Sequence, residues 1–346
     1  MTHRPDTRFG AHTWGAMNES LSILPICIKD LRPGDNILQC FRLGTKELRK
    51  TKSGHDYLDL VFSDATGSVT GKVWADVLRK WGHAFASGDY VKVEGRVETY
   101  RDKIQVVVEK IRKVDSSEVP DIDSLVKKSS QDPQVLMAEL KGIAGTLQPL
   151  QLSNLVLHLL ETHADAFMSL PAAQMVHHAY RSGLIEHVTA VTRKVMAVLP
   201  LENDINPNIA IAGAILHDIG KIRELNAEGN GRTPEGRLIG HVSLGAQMLR
   251  DAAHAVGVTA SAWLTELEHI LLSHHGETQF GAPVRPFTRE AVLVHFIDNL
   301  DAKLKIMSEA LESAEPDGFA PYNKWLEGKA FAGSNALRQE DHDAGT

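Results

Sequence analysis

The sequence predicts a chain of two domains, an all-β barrel followed by an all-α bundle, and three observations predict it. The chain has 346 residues, enough to bury two separate cores. Between positions 36 and 114 apolar and polar residues alternate in short β-rich runs separated by turn signals. From Gln134 onward the apolar spacing becomes that of amphipathic helices, with no strand pattern of comparable length.

Strands are predicted at residues 37–43, 57–62, 69–74, 90–100 and 104–111. The turn signals between them are Ser53-Gly54, Asp64-Ala65-Thr66-Gly67 and Ser87-Gly88-Asp89. A short helix is expected at 76–81, between the third and fourth strands. Five strands with a helix in that place is the order of an OB-fold, a partly open barrel whose face often takes oligonucleotides. An SH3-like or other small barrel fits the same pattern. Candidates for gripping a single strand are the aromatics Phe41, Tyr57, Trp74 and Tyr100 and the basic residues Lys50, Lys52 and Arg96. Aromatic residues also favour strands for packing, so Tyr57 and Trp74 have a place in the barrel core as their alternative.

Residues 21–114 make up the barrel domain, and 115–133, polar and acidic with its DSSEVPDIDS stretch, reads as a linker. Helices are predicted at 134–146, 150–163, 184–199, 207–217, 241–254, 263–275 and 289–310, within a helical domain spanning 134–312. Residues 313–346 form a tail that has lower periodicity from Glu315 and is expected to end in a polar, frayed segment.

The composition, 43% hydrophobic and 23% charged, is that of a globular protein. The longest apolar runs, 209–216 and 291–297, fall short of the roughly 20 residues a spanning helix needs, so no membrane partner is expected. Residues 1–20 carry no apolar h-region, and two cysteines, Cys27 and Cys40, build no disulfide framework. Together these point to the reducing cytoplasm. The net charge of −7 is unevenly spread: residues 21–114 hold 17 Lys and Arg against 12 Asp and Glu, leaving the excess of acid in the helical part. A basic module joined to an acidic one fits a polyanion-binding part attached to a metal-binding part, though chance clustering of solvated charge gives the same split.

Thirteen of the 17 histidines lie from His158 onward. His187 shares the apolar stripe of Leu184, Val188, Val191 and Val195, where the bland reading is a hydrogen-bonded core histidine. The run 209–216 ends in His217-Asp218-Ile219-Gly220-Lys221, with Gly220 read as a helix C-cap. An imidazole and a carboxylate placed after a buried apolar run must be paired or metal-bound to offset desolvation. His241 opens a helix in GHVSLGAQML, and His274 and His275 close another in ILLSHHG. Asp298 continues the apolar run 291–297 and would be an unpaired interior carboxylate without a cation. Taken singly, His241 reads as a surface residue, His274 and His275 as solvated groups at a helix C-terminus, and Asp298 as a salt-bridge or cap residue. In series they supply the nitrogen and oxygen ligands that suit divalent first-row metals. Lys221, a turn beyond His217, is placed to reach a phosphate oxygen.

The order of these residues resembles the HD phosphohydrolase superfamily. More narrowly, HHAYRSGLIEH, AGAILHDIGKIREL, IGHVSLGAQML, ILLSHHGETQFGAP and HFIDNLDAKL resemble the YhaM-type 3′-5′ exoribonuclease family, in which an OB-like domain precedes the HD domain. The resemblance spans residues 35–305. Arg181-Ser182-Gly183 departs from the family's two glycines before Leu184, and KWLEGKAF near the C-terminus matches the family's tail loosely.

The resemblance implies two divalent ions, with manganese expected and magnesium, iron, cobalt or nickel as alternatives. Asp218 would bridge them, with His187, His217 and Asp298 on one ion and His241, His274 and His275 on the other. His178 and Tyr180 would contact the terminal nucleotide or serve in packing. The implied activity is release of nucleoside 5′-monophosphates from the 3′ end of single-stranded RNA, or of DNA, by a chain that could act as a homo-oligomer. Two rivals stand beside it: an HD nucleotidase or cyclic-nucleotide phosphodiesterase with a regulatory barrel, and a non-catalytic nucleic-acid-binding protein with a structural metal.

Overall fold

The computed structural model describes residues 25–333, apart from 82–83, 102, 127, 174–177, 228, 259–260 and 316. The expectation of no leader in residues 1–20 therefore lies outside the described residues. The chain divides into two compact units between Asp121 and Ile122.

The first unit holds strands β1 (Asn36–Lys50), β2 (Asp56–Asp64), β3 (Gly67–Val73), β4 (Tyr90–Tyr100) and β5 (Lys103–Val114), with helix α1 (Ala75–Trp81) between β3 and β4. They form a closed barrel in the order β1-β2-β3-β5-β4, in which the β3–β5 seam is parallel and the other pairings are antiparallel. Alternation drives this: every second residue of β2 points into the barrel, so Leu58, Leu60 and Phe62 are buried while their neighbours are partly exposed. Phe41 and Phe62 stack at 5.3 Å between centroids in the core, each contributing roughly 1.5–3 kcal/mol of burial. β1 runs past the predicted end at Leu43. Its second half pairs with β2 from Thr45↔Val61 to Lys50↔Asp56, and residues 47–50 are exposed, so no hydrophobic pattern marked that stretch as strand.

The second unit contains α2 (Pro133–Ala144), α3 (Leu150–Thr162), α4 (Ala164–Ser169), α5 (Gly183–Val198), α6 (Pro207–Leu216), α7 (Lys221–Glu224), α8 (Pro234–Leu238), α9 (His241–Ala255), α10 (Ala262–Ser273) and α11 (Arg289–Leu311). The seven longest of these lie where helices were predicted. The shorter α4, α7 and α8 have too few turns to show a period. α6 is buried along nearly its whole length and is the central helix, packed by α5, α10 and α11. Asn206 caps it, its side chain accepting from the amides of Asn208 and Ile209.

Two expectations are corrected here. The tail holds strands not predicted from the sequence: Phe319–Asn323 (β6) and Gly328–Phe331 (β7) pair as an antiparallel hairpin that packs on α11, with Phe319 and Phe331 in ring contact at 4.6 Å. Two strands of five and four residues are too short for alternation to stand out. Residues 334–346 of that tail lie outside the described residues. The second correction concerns Gly220, which is right-handed (φ −66°) and caps no helix by left-handed geometry. Its role is close approach, since a Cβ there would lie 1.9 Å from the His241 carbonyl oxygen and 2.5 Å from the Gly245 amide nitrogen. The segment 115–133 is not bare coil either; it contains two 3-10 turns and buries Val119 and Leu125.

In the barrel, a Cβ on Gly71 would meet the Phe62 ring at 2.2 Å. Gly71→Ala is expected to destabilise the barrel by about 1–3 kcal/mol through overpacking, read as a lower denaturant midpoint; an unchanged midpoint would show that Phe62 can move away.

Candidate metal centre and its cleft

Four helices or their ends deliver five imidazoles to one place. His187 is on α5, His217 follows α6, His241 opens α9, and His274 and His275 follow α10. Each is oriented by its Nδ1. Those of His217, His274 and His275 donate to the carbonyl oxygens of Ala214 (2.8 Å), Leu271 (2.8 Å) and Phe280 (2.7 Å). Those of His187 and His241 face the carboxylates of Asp301 (2.7 Å) and Glu224 (3.1 Å). A carbonyl can only accept, so in His217, His274 and His275 the proton sits on Nδ1 and the Nε2 lone pair is turned inward.

The inward Nε2 atoms converge on Asp218. Its Oδ2 is 3.6 Å from His187 Nε2 and 3.5 Å from His217 Nε2, while its Oδ1 is 3.5 Å from His241 Nε2 and 3.7 Å from His274 Nε2. Asp298 Oδ1 lies 3.1 Å from His187 Nε2. The Nε2 atoms of His187 and His217 are 3.2 Å apart, and those of His241 and His275 are 3.3 Å apart. Two clusters result, one of His187, His217 and Asp218 and another of His241, His274 and His275, each compact enough for one ion. Asp218 Oδ1 and His274 Nε2 are buried with no hydrogen-bond partner. Orphaned polar atoms of this kind are costly unless something binds them, and a nitrogen and oxygen donor set of this composition fits a divalent transition metal.

The electrostatics agree. Burial alone would raise the Asp218 pKa, but the Lys221 ammonium and the imidazoles of His217, His241 and His187 outweigh it and hold the carboxyl well below the usual range. Asp298 is also lowered, burial being overcome by its hydrogen bond to His187 and by the nearby imidazoles. Desolvation pushes His217, His274 and His275 down, so they are neutral and their lone pairs free at neutral pH. Burial also opposes charge on His187, yet the hydrogen bonds to Asp298 and Asp301 prevail and raise it to about 9.

A third cluster, His178, His187 and Asp301, is a brace rather than a pocket. Asp301 takes the His187 Nδ1–H, lies 3.1 Å from His178 Nε2, and accepts from Lys194 Nζ at 2.5 Å. His178 continues through its Nδ1 to Tyr180 Oη (2.9 Å), which donates to Glu186 Oε1 (2.7 Å). His178 and Tyr180 are 3% and 5% exposed, so the expected contact with a terminal nucleotide gives way to the alternative of packing behind His187. Asp301, Glu224, Glu186 and Lys194 were not anticipated. Asp301 sits one turn after Asp298 in FIDNLDAK, and Glu224 one turn after Lys221; that spacing was the available signal.

A cleft of about 600 Å³ opens over the clusters, lined by Asp218, Lys221, Glu224, Arg232, His241, His274, His275, Asp298, Asn299 and Lys303 and by the aromatic rings of Phe280 and Trp325. Lys221 Nζ donates to Asp218 Oδ2 at 2.6 Å. The SHHG glycine, Gly276, has φ +77° and would bring a Cβ within 2.2 Å of the His295 ring, so only glycine lets the chain leave His275 along this path.

On the barrel, Phe41 is fully buried against Phe62 and is a core residue, not the base platform expected. Trp74 is 40% exposed and contacts the Tyr57 ring at 5.3 Å, with Lys72 Nζ 5.4 Å from the Tyr57 centroid. Trp74 also lines a cleft of about 920 Å³ with Lys46, His55 and Arg79. Lys50, Lys52 and Arg96 are exposed, and Tyr100 is exposed with Arg101 over its ring at 5.3 Å.

Residues 184–303 match the family model described as the HD domain, and residues 45–114 match the one described as the OB-fold nucleic acid binding domain. The chain therefore carries an OB-fold barrel followed by a helical HD-domain region. The first match indicates a metal-dependent phosphohydrolase and the second nucleic-acid binding. Among solved structures, the chain is similar to a domain of replication protein A from Methanococcus maripaludis, at 20% identity and a TM-score of 0.23, over 27% of this chain and 97% of that one. It is also similar to the single-stranded DNA binding protein from Thermus aquaticus, at 23% identity and a TM-score of 0.18, over 24% of this chain and 52% of that one. No helix among the described residues is long and apolar enough to cross a membrane.

Asp301→Asn keeps the shape but removes the charge that orients His187, and is expected to weaken metal affinity about 10–100-fold in a competitive chelator titration; wild-type affinity would show that Asp301 is not needed for metal binding. In the metal-free protein, His187 titrates near about 9 against about 6.5 unfolded. Its proton thus stabilises the fold fully below about pH 6.5 and that stabilisation is lost as pH rises through about 9, so the melting temperature of chelator-treated protein is expected to fall across this window more for wild type than for His187→Gln.

Proposed function

We propose that the chain is a metal-dependent exonuclease of the YhaM type, which removes nucleoside 5′-monophosphates one at a time from the 3′ end of single-stranded RNA. The observation that carries the reading is the position of Asp218, whose two oxygens face different imidazole sets and one of which has no partner. His187, His217 and Asp298 would hold one cation, His241, His274 and His275 the other, and Asp218 both. Bound divalent cations supply charge neutralisation at a scissile phosphate and activation of water, with manganese the expected ion.

The chain's own residues do the rest. Asp301, Glu224 and the carbonyls of Ala214, Leu271 and Phe280 keep the ligand lone pairs aimed inward, so little reorganisation is needed when a substrate enters. Lys221 neutralises Asp218 and lies on the cleft wall, where its ammonium can donate to a phosphate oxygen. The order of an OB barrel before an HD domain supports a polymer substrate, since a barrel with exposed aromatics and basic residues gives affinity for a strand that a nucleotidase does not need. Lys50, Lys52, Tyr57, Trp74, Arg96 and Tyr100 are the residues proposed to make that contact.

An end-labelled single-stranded RNA is expected to shorten stepwise in the presence of manganese, to stop on chelation, and to resist when its 3′ end is blocked. Asp218→Asn is expected to lower the rate by about 10²–10³-fold. Turnover confined to mononucleotides or cyclic dinucleotides, or equal cutting of the blocked strand, overturns the exonuclease reading.

A further inference from the structure

The C-terminal hairpin carries Trp325 in the turn between β6 and β7, and that tryptophan lines the cleft over the metal clusters. Nothing in the helical HD match, which ends at residue 303, includes it. Three observations set it apart from a packing residue. The residue is 46% exposed although its side chain is large and apolar. Its backbone is fixed twice: Asn323 Oδ1 accepts from the Trp325 amide at 2.8 Å, and Lys303 Nζ donates to the Trp325 carbonyl at 2.6 Å. Lys303 lies on α11 five residues after Asp298, so the turn is tied to the helix that delivers a candidate ligand. Lys324 Nζ sits 4.8 Å from the indole centroid, covering one face of a ring that otherwise borders the cleft.

We propose that Trp325 is a base-stacking subsite, holding the nucleobase of the 3′-terminal nucleotide while its phosphate lies at the metal clusters. The inference rests on the exonuclease reading and adds to it the residue that would recognise the terminal base. An indole in the lining of a cleft, on a backbone held at two points, offers a flat apolar platform, and any base can use it because every base has a π face. Asn299, which lines the same cleft, adds a side-chain amide donor. The cleft thereby combines basic groups for a phosphate, Lys221 and Arg232, with an aromatic surface for a base. A purely inorganic or small phosphate substrate has no use for that surface. The hairpin is then a substrate-binding element.

The test compares two single-stranded RNAs of the same sequence, one intact and one lacking only the base of its 3′-terminal nucleotide, with the full chain and manganese. For the wild-type protein kcat/KM for release of the first residue is expected to be about tenfold higher on the intact strand. Trp325→Ala is expected to bring that ratio close to one, and Trp325→Phe to keep most of it. Because the ratio is taken within one variant, a general loss of folded protein leaves it unchanged. A Trp325→Ala protein that keeps the wild-type ratio overturns the proposal, as does a wild-type protein that cuts both strands equally; in either case the exonuclease reading stands. A wild-type protein that cuts neither strand overturns both.

Discussion

The buried carboxylate of Asp218 is the constraint on which the helical unit depends. It is 2% exposed and surrounded by the Nε2 atoms of His187, His217, His241 and His274, and one of its oxygens has no partner. A charge placed so deep is costly in an apolar interior, and the cost is met here only by opposite charge nearby. Lys221 supplies part of it. A divalent cation would supply the remainder, which ties metal binding to folding through the same group.

The surrounding architecture follows from holding that carboxylate among four imidazoles. α6 is buried along most of its length because it must bring His217 and Asp218 to the centre, and the turn after it runs so close to α9 that Gly220 has no room for a side chain. Every imidazole is aimed by an acceptor on its far nitrogen, from a helix carbonyl where the ring follows a helix end and from Asp301 or Glu224 where it does not. Asp301 in turn is held by Lys194 and joined to the His178–Tyr180–Glu186 chain. Such a relay makes the inner ring stiff, and stiffness is what preorganised electrostatics requires.

The barrel obeys a simpler rule. Strand alternation fills its interior with Phe41, Phe62 and aliphatic side chains and leaves Trp74, Tyr57 and the lysines outside. The pleat that buries Phe41 leaves its neighbours partly exposed, so aromatic residues taken along the predicted strands without their facing mix core with surface. Trp74 is exposed because it follows the last residue of β3 and precedes α1, where the alternation ends.

Periodicity and the histidine-aspartate series made the order of barrel and bundle, the seven long helices and the seven candidate ligands legible from the sequence alone. These are properties of local spacing and residue type, which survive without knowing what packs on what. The sequence did not show that Phe41 points inward, that His178 and Tyr180 lie behind His187 instead of in the cleft, or that Gly220 serves close approach. Nor did it show Asp301, Glu224 and Lys194 as supports, or the hairpin that sets Trp325 over the centre. Each of those depends on which side chains from distant segments arrive at the same point, as Asp301 and His187 do across 114 residues. Only tertiary packing decides such meetings, because hydrogen bonds and burial between distant segments leave no period along the chain.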